Sequence, residues 1–381
     1  MEKTGTVRQA AGDEGLTYEL SGFSYARLDP FKKKAQAAAV QTATNMRRLG
    51  FRELTWSRGE SAYLFQHEST GLIIAFVIEG LGTKNIVAEN PELRRYYGQT
   101  FYAHIGRCNV AMTINDLISS GALPLAFGLH PAVEDGGHLT GGNGNDDDLI
   151  VGTMEGCNQA GCTWGPGETP GLRGIVVPGT MCLSGAGIGV INNPDHLIDP
   201  ANIQPGQCMV AFASSGCHSN GYTMLRLLAD RLPQGYLTDI GNGQTFGEAI
   251  LVSTTIYAAL IEGCQRTGVR IKYAIPVSGH GWRKIMRAPQ PFTYRVKEVP
   301  PYQQVFHFVE EQGPMTKLNL YGTLNMNAGY ILVLNKQDAD MAMAVGKSLG
   351  INSWLIGYVE EGRRQVIIEP LDIVYDELDL R

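Results

Sequence analysis

Short apolar runs alternate along the chain with polar, glycine-bearing turns, and both helical and strand periods occur. The apolar run from Leu72 to Ile78 reads as a buried central strand, and it ends in Glu79-Gly80-Leu81-Gly82-Thr83-Lys84. Residues 51–78 read as two strands, this being the second. Upstream, Phe31, Ala35, Ala38, Thr42, Met46 and Leu49 fall near one face of a helix. Asp29 is placed to cap that helix, Pro30 to fit its first turn and Gly50 to end it. Residues 100–121 give a second helix with a stripe through Ile105, Val110 or Ala111, Ile114 and Leu117. A strand over 123–129, a helix over 149–162 and a strand over 179–191 follow.

After the polar, proline-containing NNPDHLIDPANIQPG the pattern restarts. QCMVAFAS reads as a strand, MLRLLADRL as a helix, and IKYAIPVSGHGWRKIMR as strand, Gly-His-Gly turn and helix. FTYRVKEV is a strand, QQVFHFVEEQG a helix, NMNAGYILVLN a buried strand and QDADMAMAVGKSLG a helix; SWLIGYV and RQVIIEP close the chain. This alternation places the fold in the α/β or α+β class. The proline-containing stretch is the expected boundary between an N-terminal domain, 21–191, and a C-terminal domain, 192–381, with 1–20 as a flexible tail.

Composition narrows the picture. A chain of 381 residues is long for one core, which agrees with two domains. With 44% hydrophobic residues, 18% charged residues and a net charge of −6, a soluble globular protein is expected, with no electrostatic case for nucleic acid. No apolar stretch approaches the roughly 20 residues of a membrane span, and MEKTGTVRQAAGDEG has no apolar segment of a signal peptide. Seven cysteines with no CxxC pair suggest buried thiols in a reducing cytoplasm. The 47 glycines suggest many tight turns, at a phosphate-rich ligand or simply in a loop-rich fold. EDGGHLTGGNGNDDD, residues 134–148, reads as a mobile surface insertion; it lacks the EF-hand spacing and closing glutamate, so no calcium chemistry is placed there.

Four stretches carry candidate chemistry. In residues 79–84, Gly80 and Gly82 allow the backbone to turn and expose N–H groups between the Glu79 carboxylate and the Thr83 and Lys84 side chains. Nested N–H groups bind anions and a neighbouring carboxylate can hold a bridging cation, although the spacing is not that of the P-loop and such strand ends are also ordinary turns. Asn115 and Asp116 come late in an apolar helix, where the acid is either a solvated helix-end group or a ligand aimed into a cleft. Gly165 and Gly167 bracket Pro166 and deliver Glu168 from a rigid turn. In SSGCHSNGY a strand passes through a small polar loop into a helix N-terminus, a geometry suited to an anion; Ser219 and Asn220 flank His218, which reads equally as a structural turn residue. Lys32, Lys33 and Lys34 form a solvated face or meet a phosphate.

EGLGTK, INDLISSGALPL, MEGCNQAGCTWGPGET, SSGCHSNGYTMLR and NMNAGYILVL follow the order and spacing of the aminoimidazole ribonucleotide synthetases, the phosphoribosylformylglycinamidine cyclo-ligases of purine synthesis. SYARLD and FGEAILVSTTIY fit as well, so the chain resembles that family over residues 24–370. The resemblance implies a two-domain fold whose N-terminal sheet pairs with a second subunit's in a homodimer and whose C-terminal domain has a mixed sheet. It implies ATP and Mg²⁺ as cofactors and a small ribonucleotide as substrate. An amide oxygen would be phosphorylated and then displaced by an amidine nitrogen to close the imidazole ring. Carried over by motif, Glu79 and Asp116 become metal ligands or ATP-phosphate candidates. Gly80, Gly82, Thr83, Lys84, Asn115, Ser219 and Asn220 become nucleotide or phosphate contacts. Lys84, Glu168 and His218 become catalytic, Glu168 as a metal or substrate ligand and His218 as the acid/base candidate.

The chain also departs from the family pattern. Glu79 replaces an aspartate, Arg107 stands where an aspartate is usual, and WSRGESAYLF keeps only Gly59 of a glycine-rich loop. Arg283-Lys284 replaces an acidic-polar pair, and VSTTIY loses a proline and an arginine at Ser253 and Thr255. Arg107 is expected to replace a metal's charge, pair with Glu79 or abolish binding. Two alternatives therefore stand beside the cyclo-ligase: a related ATP-dependent synthetase or kinase with another substrate, and a catalytically silent nucleotide-binding dimer.

Overall fold

The computed structural model describes residues 25–313 and 315–380; the expected tail, 1–20, lies outside the described residues. Helix α1 (Tyr25–Val40) leads through a 3-10 turn (Ala43–Leu49) to strands β1 (Phe51–Glu53), β2 (Tyr63–His67) and β3 (Ile73–Gly80). Helices α2 (Lys84–Ala88), α3 (Pro91–Tyr97) and α4 (Tyr102–Leu117) follow, then β4 (Leu123–Val133), α5 (Gly137–Thr140), α6 (Asn145–Ala160), β5 (Thr163–Gly167) and β6 (Met181–Ile191). These six strands form one sheet in the order β1-β2-β3-β6-β4-β5, antiparallel except for β4–β5.

The second sheet takes β7 (Cys208–Ala213), β8 (Ile271–Pro276), β9 (Phe292–Val296), β10 (Ala328–Leu334), β11 (Ser353–Glu361), β12 (Gln365–Ile368) and β13 (Ile373–Asp376). Its order is β13-β12-β9-β11-β7-β10-β8, with β9 and β12 the parallel pair. Helices α7 (Tyr222–Ala229), α8 (Phe246–Leu251), α9 (Ala258–Arg266), α10 (Gln304–Gln312), α11 (Lys317–Tyr321) and α12 (Lys336–Ser348) accompany it. The class is α/β of the α+β kind, with two mixed sheets. Strand β10 is buried along its whole length, as its unbroken apolar run requires. Among the described residues no helix is long and apolar enough to cross a membrane.

The first sheet is built to seat α4. On β6, Gly185, Gly187 and Gly189 point at that helix: an added Cβ would lie 2.8 Å from Thr113 at Gly187 and 2.6 Å from Leu117 at Gly189. On the far side α6 crosses α4 as closely, since a Cβ at Gly152 would meet the Ala103 carbonyl oxygen at 2.0 Å. Glycines expected only at turns thus also set the depth at which Asn115 and Asp116 are held.

Several elements differ from their sequence reading. Residues 51–78 hold three strands, because Ser57 and Gly59 turn the chain between β1 and β2. β3 is not buried on both faces: Ile73, Ala75 and Val77 are inside, whereas Ile78 is 68% exposed, since among the described residues no helix covers the other side. Asp29 lies inside α1 and pairs with Lys32 at 3.6 Å instead of capping. The apolar positions of α1 meet solvent, Phe31 being 72% exposed. Residues 134–148 are no loose insertion: Asp146, Asp147 and Asp148 form the first turn of α6, where acids suit the helix dipole, and Asn145 is fully buried, bound by Arg94 at 2.8 Å. TWGPG is an edge strand, β5, not a free turn. Five cysteines are buried, while Cys162 is half-buried and Cys182 exposed.

A candidate active site between the two sheets

A cavity of about 590 Å³ opens where the C-terminal end of β3 and the last turn of α4 face the loops of the second sheet. Glu79 and Gly80 come from β3, and Asn115 and Asp116 from α4. His218, Ser219 and Asn220 come from the loop after β7, and Ser278, His280, Lys284 and Arg287 from the segment after β8. Seven of the sequence-predicted residues therefore share one cavity.

Lys84, Gly82, Thr83 and Glu168 do not line it. Lys84 is fully buried behind the His218 loop and donates to the carbonyl oxygens of His218 and Val252, both at 2.7 Å, with its ammonium 5.3 Å from the Tyr222 ring centre. It is a strut for the loop, not an open phosphate contact. Gly82 meets its turn with φ 72°, and Thr83 stands before α2 without a capping side-chain bond. Glu168 is exposed at the end of edge strand β5, where its backbone N–H donates to Leu129.

Within the cavity most polar ends are already engaged. Asn115 donates to the Thr255 carbonyl at 2.8 Å and accepts from the Tyr257 N–H at 3.0 Å, so it ties α4 to the second half of the chain. Ser219 shares a hydrogen bond of 2.8 Å with Thr254. His218 sits in a left-handed turn, φ 57°, with its ring against Gly329, where a Cβ would come within 2.6 Å of Cε1. The Ser215 N–H donates to its Nε2 at 3.2 Å, which leaves the ring proton on Nδ1. Burial, and next the Lys84 charge, push its pKa down to about 3. His218 is therefore a neutral hydrogen-bond donor at physiological pH, a weaker acid/base candidate than the motif suggests.

The acids and cations form a separate group. Lys284 Nζ donates to Ser278 Oγ at 2.6 Å and lies 3.6 Å from Asp116 Oδ1. Glu79 faces this pair; burial first, then the Asp116 charge, push its pKa up to about 7, against the pull of Lys284. Burial lowers the pKa of Lys284, and Asp116 opposes the shift. Sequence reasoning noted Lys284 as a departure but did not place it here; the Gly-His-Gly turn after a strand was the available signal.

Arg107 neither pairs with Glu79 nor reaches the cavity. It bonds Glu155 on α6, and its Nε donates to Ser253 Oγ at 3.0 Å, outside the cavity. Arg107→Asp is therefore expected to set like charges side by side at the helix contact. It should cost about 1 kcal/mol, the pair being partly screened by solvent, without creating Mg²⁺-dependent activity; melting curves and turnover with and without Mg²⁺ check this.

The buried histidines also set a pH response. His104 and His280, like His218, are pushed down, each to about 4, by burial first and nearby cations next. All three bind protons more readily when unfolded, near pH 6.5, than when folded. Stability they contribute is thus full above about pH 6.5 and lost as pH falls toward 4. Melting temperature should fall over that window, and His218→Gln should flatten the slope.

The comparisons with known proteins agree with this architecture. Residues 59–191 match the model of the AIR synthase related protein, N-terminal domain. A phosphoribosylformylglycinamidine cyclo-ligase of Anaeromyxobacter is 32% identical over 299 residues, covering 76% of this chain and 81% of that protein. One from Alkaliphilus oremlandii is 31% identical over 302 residues, covering 76% and 82%. The chain belongs to the phosphoribosylformylglycinamidine cyclo-ligase family. It is thus an enzyme of that family, and its fold recurs at greater distance. A HypE–HypF complex structure matches with a TM-score of 0.59 at 18% identity, over 82% of this chain and 90% of that one. Thermotoga maritima PurL complexed with AMPPCP matches with a TM-score of 0.51 at 14% identity, over 84% of this chain and 46% of that one. As a cyclo-ligase family member the chain is expected to use Mg²⁺, but its residues fit that ion poorly. Asp116, one of the two carboxylates that would hold it, already lies 3.6 Å from the Lys284 ammonium, the other, Glu79, feels the same charge, and among the described residues no group of three His, Cys, Asp or Glu side chains is arranged to bind a metal.

Proposed function

We propose that the chain closes the imidazole ring of aminoimidazole ribonucleotide from formylglycinamidine ribonucleotide, at the expense of ATP, in the cavity between its two sheets. The observation that carries this is the meeting of Glu79-Gly80, Asn115-Asp116 and His218-Ser219-Asn220, from three of the motifs, around one polar cavity large enough for a nucleotide's phosphates. In the reaction the formyl amide oxygen attacks the γ-phosphorus, an O–P bond forms and the bond to ADP breaks. The amidine nitrogen then attacks the activated carbon, the C–O bond breaks, and phosphate leaves with that oxygen while nitrogen loses a proton. Such chemistry needs charge neutralisation and positioning more than a covalent protein nucleophile. Lys284 and Arg287 supply positive charge, and the Nδ1–H of His218 and the amide of Asn220 supply donors.

The test is phosphate release by purified protein. Release that requires both ATP and formylglycinamidine ribonucleotide is expected; none with both present would end the proposal. A second reading, a related ATP-dependent enzyme with another small substrate, is favoured by Lys284 and by the absence of Glu168 from the cavity. A response to ATP in thermal shift without one to the purine precursor would select it.

The working unit is proposed to be a homodimer joined through the uncovered face of the first sheet. Ile74, Phe76, Ile78, Leu125 and Ile188 lie there on adjacent strands, an apolar surface that a second copy, presenting the same strands, would cover. Sedimentation should give a dimer, and Ile78→Glu a monomer.

A further inference from the structure

We propose that Lys284 is the resident cation of this cavity: its ammonium stands at the Glu79–Asp116 carboxylate pair in the place of a divalent ion, and phosphate-bearing ligands bind without metal.

The geometry carries this. Lys284 is buried on the 3-10 segment Gly281–Met286, and the Ser278 hydroxyl at 2.6 Å and Asp116 at 3.6 Å fix its ammonium. A buried ammonium is stable only where carboxylates and hydrogen-bond acceptors surround it. A magnesium ion at the same carboxylates would sit within a few ångströms of that ammonium, with no room for its water shell. The two cations therefore exclude each other.

The surrounding charge agrees. Among the described residues Arg287 and Arg364 also line the cavity, as does Lys32, which pairs with Asp29, and the lining carboxylates are those of Glu79 and Asp116, while His218 and His280 are held neutral by burial. The guanidinium of Arg287 is braced by the Gly59 carbonyl at 2.7 Å and Ser61 Oγ at 2.8 Å, and that of Arg364 by the Arg287 carbonyl at 2.7 Å. In a chain of net charge −6 the cavity is thus locally positive, a field that collects polyanions with no added metal.

The inference that nucleotide phosphates are the ligand rests on the proposed function; the displacement of the metal does not. Two measurements separate them. Mn²⁺ binding to the protein without nucleotide, followed by electron paramagnetic resonance, should show no site in the wild type or in Lys284→Arg. Lys284→Gln should gain one that Asp116→Asn removes. A wild-type Mn²⁺ site lost on Asp116→Asn would overturn the inference. AMPPNP affinity measured by calorimetry should then be the same within roughly threefold in EDTA and in Mg²⁺ for the wild type. In Lys284→Gln it should fall about tenfold or more in EDTA and recover with Mg²⁺. A wild type that binds AMPPNP only with Mg²⁺ also overturns the inference. With no AMPPNP binding in either condition the nucleotide reading falls, while the Mn²⁺ result still decides for or against Lys284. Melting curves of both variants confirm that they are folded, and Lys284→Arg keeps the test open should the glutamine form be unstable.

Discussion

Replacing Lys84 with methionine is expected to lower the melting temperature sharply and to loosen the His218 loop, not merely to weaken a phosphate contact. The ammonium is fully buried and its two hydrogen bonds, both 2.7 Å, end on the carbonyl oxygens of His218 and Val252. Methionine fills much of the same volume but donates nothing, so two buried carbonyls lose their partner. Each unsatisfied group costs about 1–3 kcal/mol, so a total of about 2–4 kcal/mol is reasonable after relaxation. For a domain of this size that corresponds to roughly 5–15 °C in melting temperature. The loss of the Lys84 charge should also raise the pKa of His218, since that charge is the second cause of its depression. Proton NMR of the histidines would show an upward shift, with the ring still below its ordinary value because burial, the larger cause, remains. Unchanged stability with reduced nucleotide affinity would instead return Lys84 to the phosphate role that its motif suggests.

The contrast explains how far the sequence could be read. Periodicity located the central helix α4 and the strands β6, β7, β8 and β10, because each carries a long, regular apolar pattern between clear breaks. Motif order brought together Glu79, Asp116 and His218, since strand ends and helix ends on neighbouring elements converge. The directions of side chains were not legible. Lys84 follows its glycines as a phosphate-binding lysine would, yet it turns inward because α2 runs beneath the His218 loop. Glu168 follows a rigid Gly-Pro-Gly, but β5 is the outermost strand of its sheet, so the residue leaves the cavity altogether. Arg107 lies more than two turns of helix before Asp116, and only the packing of α6 across α4 shows that its partner is Glu155. The glycine stripe on β6 was visible as composition, but close approach of a helix cannot be told from turn formation without the partner surface. Acidic residues 146–148 misled for a similar reason: a charged run reads as a solvated loop until a buried Asn145 and a following helix are known to anchor it.

Asp116→Asn carries the second large expectation, and its direction depends on what neutralises the carboxylate pair. Asp116 is 8% exposed, lies on the last turn of α4 and holds Lys284 at 3.6 Å. With an ammonium as the resident cation, the amide leaves that ammonium less anchored and the cavity one unit more positive. Affinity for AMPPNP should then hold or tighten, because the ligand meets less negative charge. Turnover should fall by about 10²–10³, the range seen when a positioned charged contact is lost, because Lys284 no longer waits where charge develops. The buried ammonium, left with Glu79 and the Ser278 hydroxyl, should also cost stability, on the order of 1–3 kcal/mol. A metal-dependent site behaves in the opposite way: removing a ligand weakens the metal, and nucleotide affinity falls with it, in proportion to added Mg²⁺. Calorimetry of AMPPNP binding beside phosphate-release kinetics on the same variant therefore separates the two arrangements. Tighter or equal binding with slow turnover fits an ammonium-centred cleft, whereas weaker binding rescued by excess Mg²⁺ fits a cleft in which Lys284 moves aside for an ion.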